Sequence, residues 1–106
     1  MPVNIEGSNE ILIAYLTGEL DHHCAASMRK KIDSAVNEYK PSLLVLDFGD
    51  VSFMDSSGIG LIMGRYKLIN EIGGTLHVVN VSQHAHKVMA LAGLENLATI
   101  TEAEVK

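Results

Sequence analysis

Residues 43–79 read LLVLDFGDVSFMDSSGIGLIMGRYKLINEIGGTLHVV, and this stretch decides the fold. Leu43–Phe48 is apolar apart from Asp47, the pattern of a strand in a sheet covered on both faces. After a loop over Gly49–Asp55, the residues Ile59, Ile62, Tyr66 and Ile69 recur at helical spacing, widened by Leu61, Leu68 and Ile72. Gly73-Gly74 offers the left-handed residue that closes such a helix, and Thr75–Val79 is a further buried strand. Strand, helix and strand in succession specify a parallel crossover unit.

The same alternation extends both ways. Upstream, Ile11–Thr17 reads as a buried strand ended by Gly18, preceded by a short edge strand at Val3–Glu6 and a turn at Gly7-Ser8-Asn9. Asp21 is placed to cap a helix carrying Cys24, Met28, Ile32, Ala35 and Tyr39 on one face. Lys40 precedes Pro41 and is expected to be extended, stopping that helix near Tyr39. Downstream, Ser82 caps a helix marked by Ala85, Val88, Met89 and Ala92 and stopped by Gly93. Leu97–Thr101 is the last strand, and Glu102–Lys106 reads as a frayed terminus. The order β-β-α-β-α-β-α-β makes this an α/β layered domain, one unit over residues 1–106.

Composition narrows the function. The 106 residues are 47% hydrophobic and 20% charged, as in a compact folded domain. With Cys24 the only cysteine, no intrachain disulfide or cysteine zinc cluster can form, which fits a reducing cytoplasm. Met1–Glu6 lacks the features of a signal peptide, and no apolar run is long enough to span a membrane. Eight Lys plus Arg against 13 Asp plus Glu leave a net charge of -5, so neither nucleic acid nor membrane is an expected partner.

In an open α/β sheet, ligands and partners meet the carboxyl ends of the strands. Two loops fall there, Gly18–His23 and Asp47–Gly60. The second opens a helix with Ser56-Ser57-Gly58-Ile59-Gly60. Two glycines in an opening turn cost about 1 kcal/mol each against Ala. They make sense where another surface or an anion approaches bare backbone. The plainer account makes one serine an N-cap. A nucleotide-binding or hydrolysing loop is the alternative, but Gly58-x-Gly60 with Gly64 misses the dinucleotide fingerprint and no GxxxxGK[ST] is present. Met54–Gly58 is not GxSxG, and His22, His23, His77, His84 and His86 read as surface or capping residues. No catalytic residue, cofactor or metal site is expected. Asp21, Asp47, Asp50 and Asp55 read as solvated loop acids rather than Mg²⁺ ligands.

Val51–Lys67, with Asp55-Ser56-Ser57-Gly58 at its centre, closely resembles the signature of the anti-sigma factor antagonists, which belong to the STAS domains. Thr17–His23 resembles the second family motif, and His22 and His23 after Asp21 point to the sporulation branch. The resemblance covers about Asn4 to Leu97. It implies a mixed, mostly parallel sheet of four to five strands with helices packed against it. It implies a non-enzymatic partner switch whose unphosphorylated form binds an anti-sigma factor with serine kinase activity, freeing a sporulation sigma factor. By the same resemblance, that kinase phosphorylates Ser56 and a serine phosphatase reverses the mark. Partner contacts are implied at Asp21, His22, Asp55, Ser57, Gly58, Ile59 and Gly60.

Overall fold

The computed structural model describes residues 3–104. The chain runs β1 (Val3–Gly7), β2 (Ile11–Leu20), α1 (His22–Tyr39), β3 (Leu43–Met54), α2 (Ser56–Glu71), β4 (Thr75–Val81), α3 (Gln83–Leu91), a 3-10 turn at Leu94–Asn96, and β5 (Thr99–Glu102). The strands form a single sheet in the order β1-β2-β3-β4-β5. β1 is antiparallel to β2, and every other neighbouring pair is parallel. The sheet is therefore mixed.

Each crossover moves one strand further in the same direction. Right-handed crossovers in that order place all three helices on one face. Burial alternates accordingly: Leu12, Ala14 and Leu16, then Leu44, Leu46 and Phe48, then Leu76 and Val78 point into the core. Their neighbours Ile13, Val45, His77 and Val79 are only half-buried and do not join that core. The continuous apolar run of β3 is thus covered on one face and not on both. Met28, Ile32 and Val36 from α1 and Leu61, Ile62 and Ile69 from α2 complete the core.

The termini of several elements differ from the sequence reading, for local reasons. β2 passes through Gly18, which adopts φ +88 at an irregularity in the β2–β3 ladder, and continues to Leu20. Glycine is the residue that permits this positive φ. β3 continues past Gly49 to Met54, because Asp50, Val51, Phe53 and Met54 find ladder partners along the lengthened β2. The expected Gly49–Asp55 loop is therefore almost entirely strand. Lys40 is left-handed (φ 46, ψ 58) rather than extended, and its N–H closes α1 onto the Val36 carbonyl. Tyr39 and Ile72, expected on buried helix faces, are 40% and 41% exposed at the ends of their helices. β5 begins at Thr99 and includes Glu102, with the Ala103 N–H donating to the Val81 carbonyl, so the frayed segment starts later than expected.

Candidate functional site

The two loops singled out in the sequence lie side by side. Leu20 and Met54 are ladder partners at the ends of β2 and β3, and Asp21 and Asp55 are the next residues of each strand. Both aspartates are N-caps. The Asp21 carboxylate accepts from the Cys24 N–H at 3.0 Å, and the Asp55 carboxylate accepts from the Ser57 N–H at 2.8 Å. Asp55 also receives the Gly58 N–H on its carbonyl at 3.0 Å. The backbone and side-chain bonds from Cys24 hold the Asp21 carboxyl below its ordinary pKa against partial desolvation. Neither acid is simply a solvated loop residue: each ties down unpaired N–H groups of an opening helix.

With Asp55 in the capping position, neither serine has to cap. Ser56 is the first residue of α2 and is exposed. Ser57 is half-buried and lines a groove of about 370 Å³ between α1 and α2, together with His22, Ala25, Ala26, Arg29, Gly60 and Leu61. Among the described residues, no hydrogen bond joins a histidine to either serine. No cluster of His, Cys, Asp and Glu among those residues could hold a metal ion.

The glycines of the opening turn divide into two roles. Gly58 is buried, and a Cβ there would stand 2.2 Å from Met54 Cγ and 2.6 Å from Sδ. It is bare so that the end of β3 can pack beneath the first turn of α2. Gly60 is exposed, with nothing within 4 Å of a Cβ position, so no packing within the described residues requires its small size. Ile59 is half-buried and packs against the core. Of the expected contact residues, then, Asp21, His22, Asp55, Ser57 and Gly60 gather at one end of the sheet beside Ser56. Gly58 and Ile59 face inward and support them.

Two features escaped the sequence reading. Arg65 is only 5% exposed and pairs across helices with Asp33, Nε to Oδ1 at 2.8 Å. The N–H is not aimed along that line, so this is an ion contact rather than a directed hydrogen bond. Burial lowers the guanidinium pKa, opposed by Asp33. The available signal was its position four residues from both Leu61 and Ile69, on the buried stripe of α2. The second is an apolar cavity of about 150 Å³ between the end of β3 and the start of α3, lined by Phe48, Val51, Phe53, Met54, Ala85 and Val88 with polar groups from Ser52, Ser82 and His84. Val51, Ser52, Phe53 and Met54, the part of β3 beyond Gly49, form one of its walls. Asp47, expected as a solvated loop acid, accepts from the Gly49 N–H at 2.8 Å and from Asn80 Nδ2 at 3.1 Å, bracing β3 against β4. Among the described residues, no helix is long and apolar enough to cross a membrane.

Known proteins share this chain's sequence pattern and fold. The STAS domain family profile matches residues 2–105. An anti-sigma F factor antagonist of Paenibacillus polymyxa is 38% identical over 105 residues, covering 99% of this chain and 90% of the relative. The anti-sigma factor antagonist SpoIIAA in its unphosphorylated form shares the fold with a TM-score of 0.80 at 32% identity, over 92% of this chain and 86% of that one. The Bacillus cell fate determinant SpoIIAA in its phosphorylated form gives 0.73 at 32% identity, over 92% and 89%.

Proposed function

The chain belongs to the STAS domain family, and from that premise we propose that it is an anti-sigma factor antagonist of the sporulation branch, switched by phosphorylation of Ser56. The unphosphorylated form binds an anti-sigma factor that is also a serine kinase, and so releases the sporulation sigma factor. The kinase transfers the terminal phosphoryl group of ATP to Ser56 Oγ: the new O–P bond forms, the bond to ADP breaks, and the hydroxyl proton goes to a base on the kinase. A serine phosphatase restores the hydroxyl. The chain itself supplies a surface and an acceptor, with no catalytic group, and works in the cytoplasm.

One observation carries the reading: Ser56 is exposed in the first turn of α2 while Asp55 does the capping. Its hydroxyl is free to react without dismantling the helix terminus. The phosphate then adds about -1.5 to -2 charge beside Asp55 and near Asp21, at the end where His22, Ser57 and Gly60 present the docking surface. Losing tenfold in affinity takes about 1.4 kcal/mol, which a desolvated dianion readily exceeds. The mechanism is local. That both phosphorylation states of SpoIIAA share this chain's fold supports it.

The test uses purified anti-sigma F factor of Paenibacillus polymyxa with ATP, read by mass spectrometry and calorimetry. Ser56→Ala should bind the kinase and accept no phosphate, and Ser57→Ala should still be labelled. Labelling of Ser56→Ala at the wild-type rate refutes the site. ATP turnover by the chain alone would favour a nucleotide-hydrolysing domain built on the Ser56–Gly60 turn.

A further inference from the structure

We propose that the groove between α1 and α2 receives a carboxylate of the anti-sigma kinase on Arg29, so that the partner lies with an acidic group there and a basic group over Asp21. The inference rests on the reading of Ser56 as the switch and adds a contact to the same docking surface. The groove starts at that switch. His22 and Ser57 line its near end, and Ser57 directly follows Ser56. Ala25, Ala26 and Arg29 on α1, and Gly60 on α2, carry it away from that end at helical spacing. One turn further along each helix stand Asp33 and Arg65, whose ion contact at 2.8 Å ties the two helices together. Ala25, Ala26 and Gly60 offer little or no side chain, so an entering group has a clear approach to the Arg29 guanidinium.

The charge of the groove selects an acidic occupant. At helical spacing around Arg29 lie Ala25, Ala26, Ile32 and Asp33, of which Asp33 alone is an acid. Asp33 is engaged by Arg65. Arg29 is exposed and makes no salt bridge among the described residues. Burial foremost, opposed by Asp33, lowers the Arg65 pKa, and the nearby Arg29 guanidinium lowers it further. Two guanidinium groups thus stand against one carboxylate, in a chain whose net charge is -5. A planar guanidinium is the side chain suited to hold a second carboxylate through two parallel hydrogen bonds.

Continuity with the switch selects the kinase as the source of that carboxylate. A protein that lies over Ser56 during phosphoryl transfer also reaches Ser57, His22 and Gly60, all within one helical turn of the two helix starts. Arg29 stands eight positions after Asp21, about 12 Å along α1. That exceeds the screening length of about 8 Å at physiological salt, so a partner meets the acid and the base as separate charges. Such a dipole fixes the direction in which the partner lies, and rejects the reversed one by setting like charges together.

Calorimetry of the full chain against purified anti-sigma F factor of Paenibacillus polymyxa, at about 50 mM and about 500 mM NaCl, tests this. Arg29→Ala should weaken binding about tenfold at low salt and Arg29→Glu about a hundredfold, with both losses shrinking at high salt. Lys30→Glu, which changes the net charge equally from the neighbouring position, should cost less than about threefold. Urea unfolding checks that the exposed Arg29 variants keep the fold. If Arg29→Glu loses stability, Gly60→Met decides: its Cβ meets nothing within 4 Å, and the side chain should fill the groove and weaken binding at least about tenfold. Wild-type binding with Arg29→Glu no weaker than Lys30→Glu overturns the inference alone. A wild type that neither binds the kinase nor is labelled on Ser56 overturns the switch reading and the inference with it. ATP bound by the isolated chain and lost in Arg29→Glu would assign the groove to a phosphate and overturn the inference too.

Discussion

Replacing Gly58 by Ala puts a number on how tightly the end of β3 is packed under the switch helix. Alanine favours a helix interior over glycine by up to about 1 kcal/mol, so an unobstructed Gly58→Ala should stabilise. The structure forbids that gain, since the new Cβ lands 2.2 Å from Met54 Cγ, with Leu20 Cδ2 at 3.5 Å on the other side. Met54 must move by more than 1 Å, and its Cγ is held close to the backbone rather than at the free end of the chain. Overpacking of this kind costs about 1–3 kcal/mol. Against the full propensity gain, the net loss is about 0–2 kcal/mol, or up to roughly 12 °C in Tm for a domain of this size. Removing the obstacle reverses the sign: in a Met54→Ala background, Gly58→Ala should be neutral or stabilising. A double-mutant cycle by urea unfolding reads the coupling, expected at about 1 kcal/mol or more. Since Met54 precedes Asp55, the single variant should also slow phosphorylation of Ser56. A Gly58→Ala protein more stable than the wild type, or a cycle with no coupling, would show that this contact does not govern the turn.

Three further outcomes follow from the same geometry. Asp55→Ala should lose about 1 kcal/mol by urea unfolding, as N-cap removals do. Asp55→Asn should recover most of it, and equal losses would mean that the bond to Ser57 is not the cap. Asp21→Asn keeps a capping oxygen for the Cys24 N–H, so its melting should barely change. Its affinity for the anti-sigma kinase, by calorimetry, should fall about tenfold through loss of a charge pair, and unchanged binding would reduce Asp21 to its capping role. His86 lies between Glu102 (Nδ1 to Oε2, 2.6 Å) and Glu95 (Nε2 to Oε1, 3.1 Å), tying α3 to β5, and the Glu102 bond foremost raises its pKa. A raised folded pKa means that the clasp stabilises fully below about pH 6.5 and is lost as pH rises through the folded value. The Tm gap between wild type and His86→Ala should accordingly shrink from pH 5.5 to pH 9, and a gap constant with pH would refute the clasp.

The strand and helix order could be read because each element carries its own period, with caps at Asp21 and Ser82 that the structure places where the sequence put them. What could not be read is set by long-range pairing. Nothing in Gly49–Met54 looks like strand: a glycine, an acid and a serine interrupt it. It becomes strand because β2 runs on through a positive-φ glycine and offers ladder partners. The same blindness applies to sheet coverage. An apolar run cannot say whether helices pack on one side or two; strand order and crossover handedness decide that. At the site, the motif drew attention to both serines, but only the structure divides them from the cap. Asp55 was read as a loop acid because a capping bond to Ser57 is invisible until the helix start is fixed.

On the proposed assignment of Ser56, that division would let a switch sit on a helix terminus without endangering the fold. A negative group in the first turn gains about 0.3–1 kcal/mol per charge from the helix dipole. A phosphate on Ser56 also suffers repulsion from Asp55, one residue away, which is held in place by its bond to the Ser57 N–H. The two effects oppose each other at similar size, so a folded chain phosphorylated at Ser56 should be nearly as stable as the unmodified one. A docked partner would not be indifferent, because it would meet the added charge after water had been displaced, with no dipole gain to offset it. The information therefore resides in the difference between a solvated and a desolvated dianion. Had a serine been the N-cap, phosphorylation would have exchanged its capping hydroxyl for a charged acceptor on the same N–H groups, and the same chemical mark would have altered stability as well as binding.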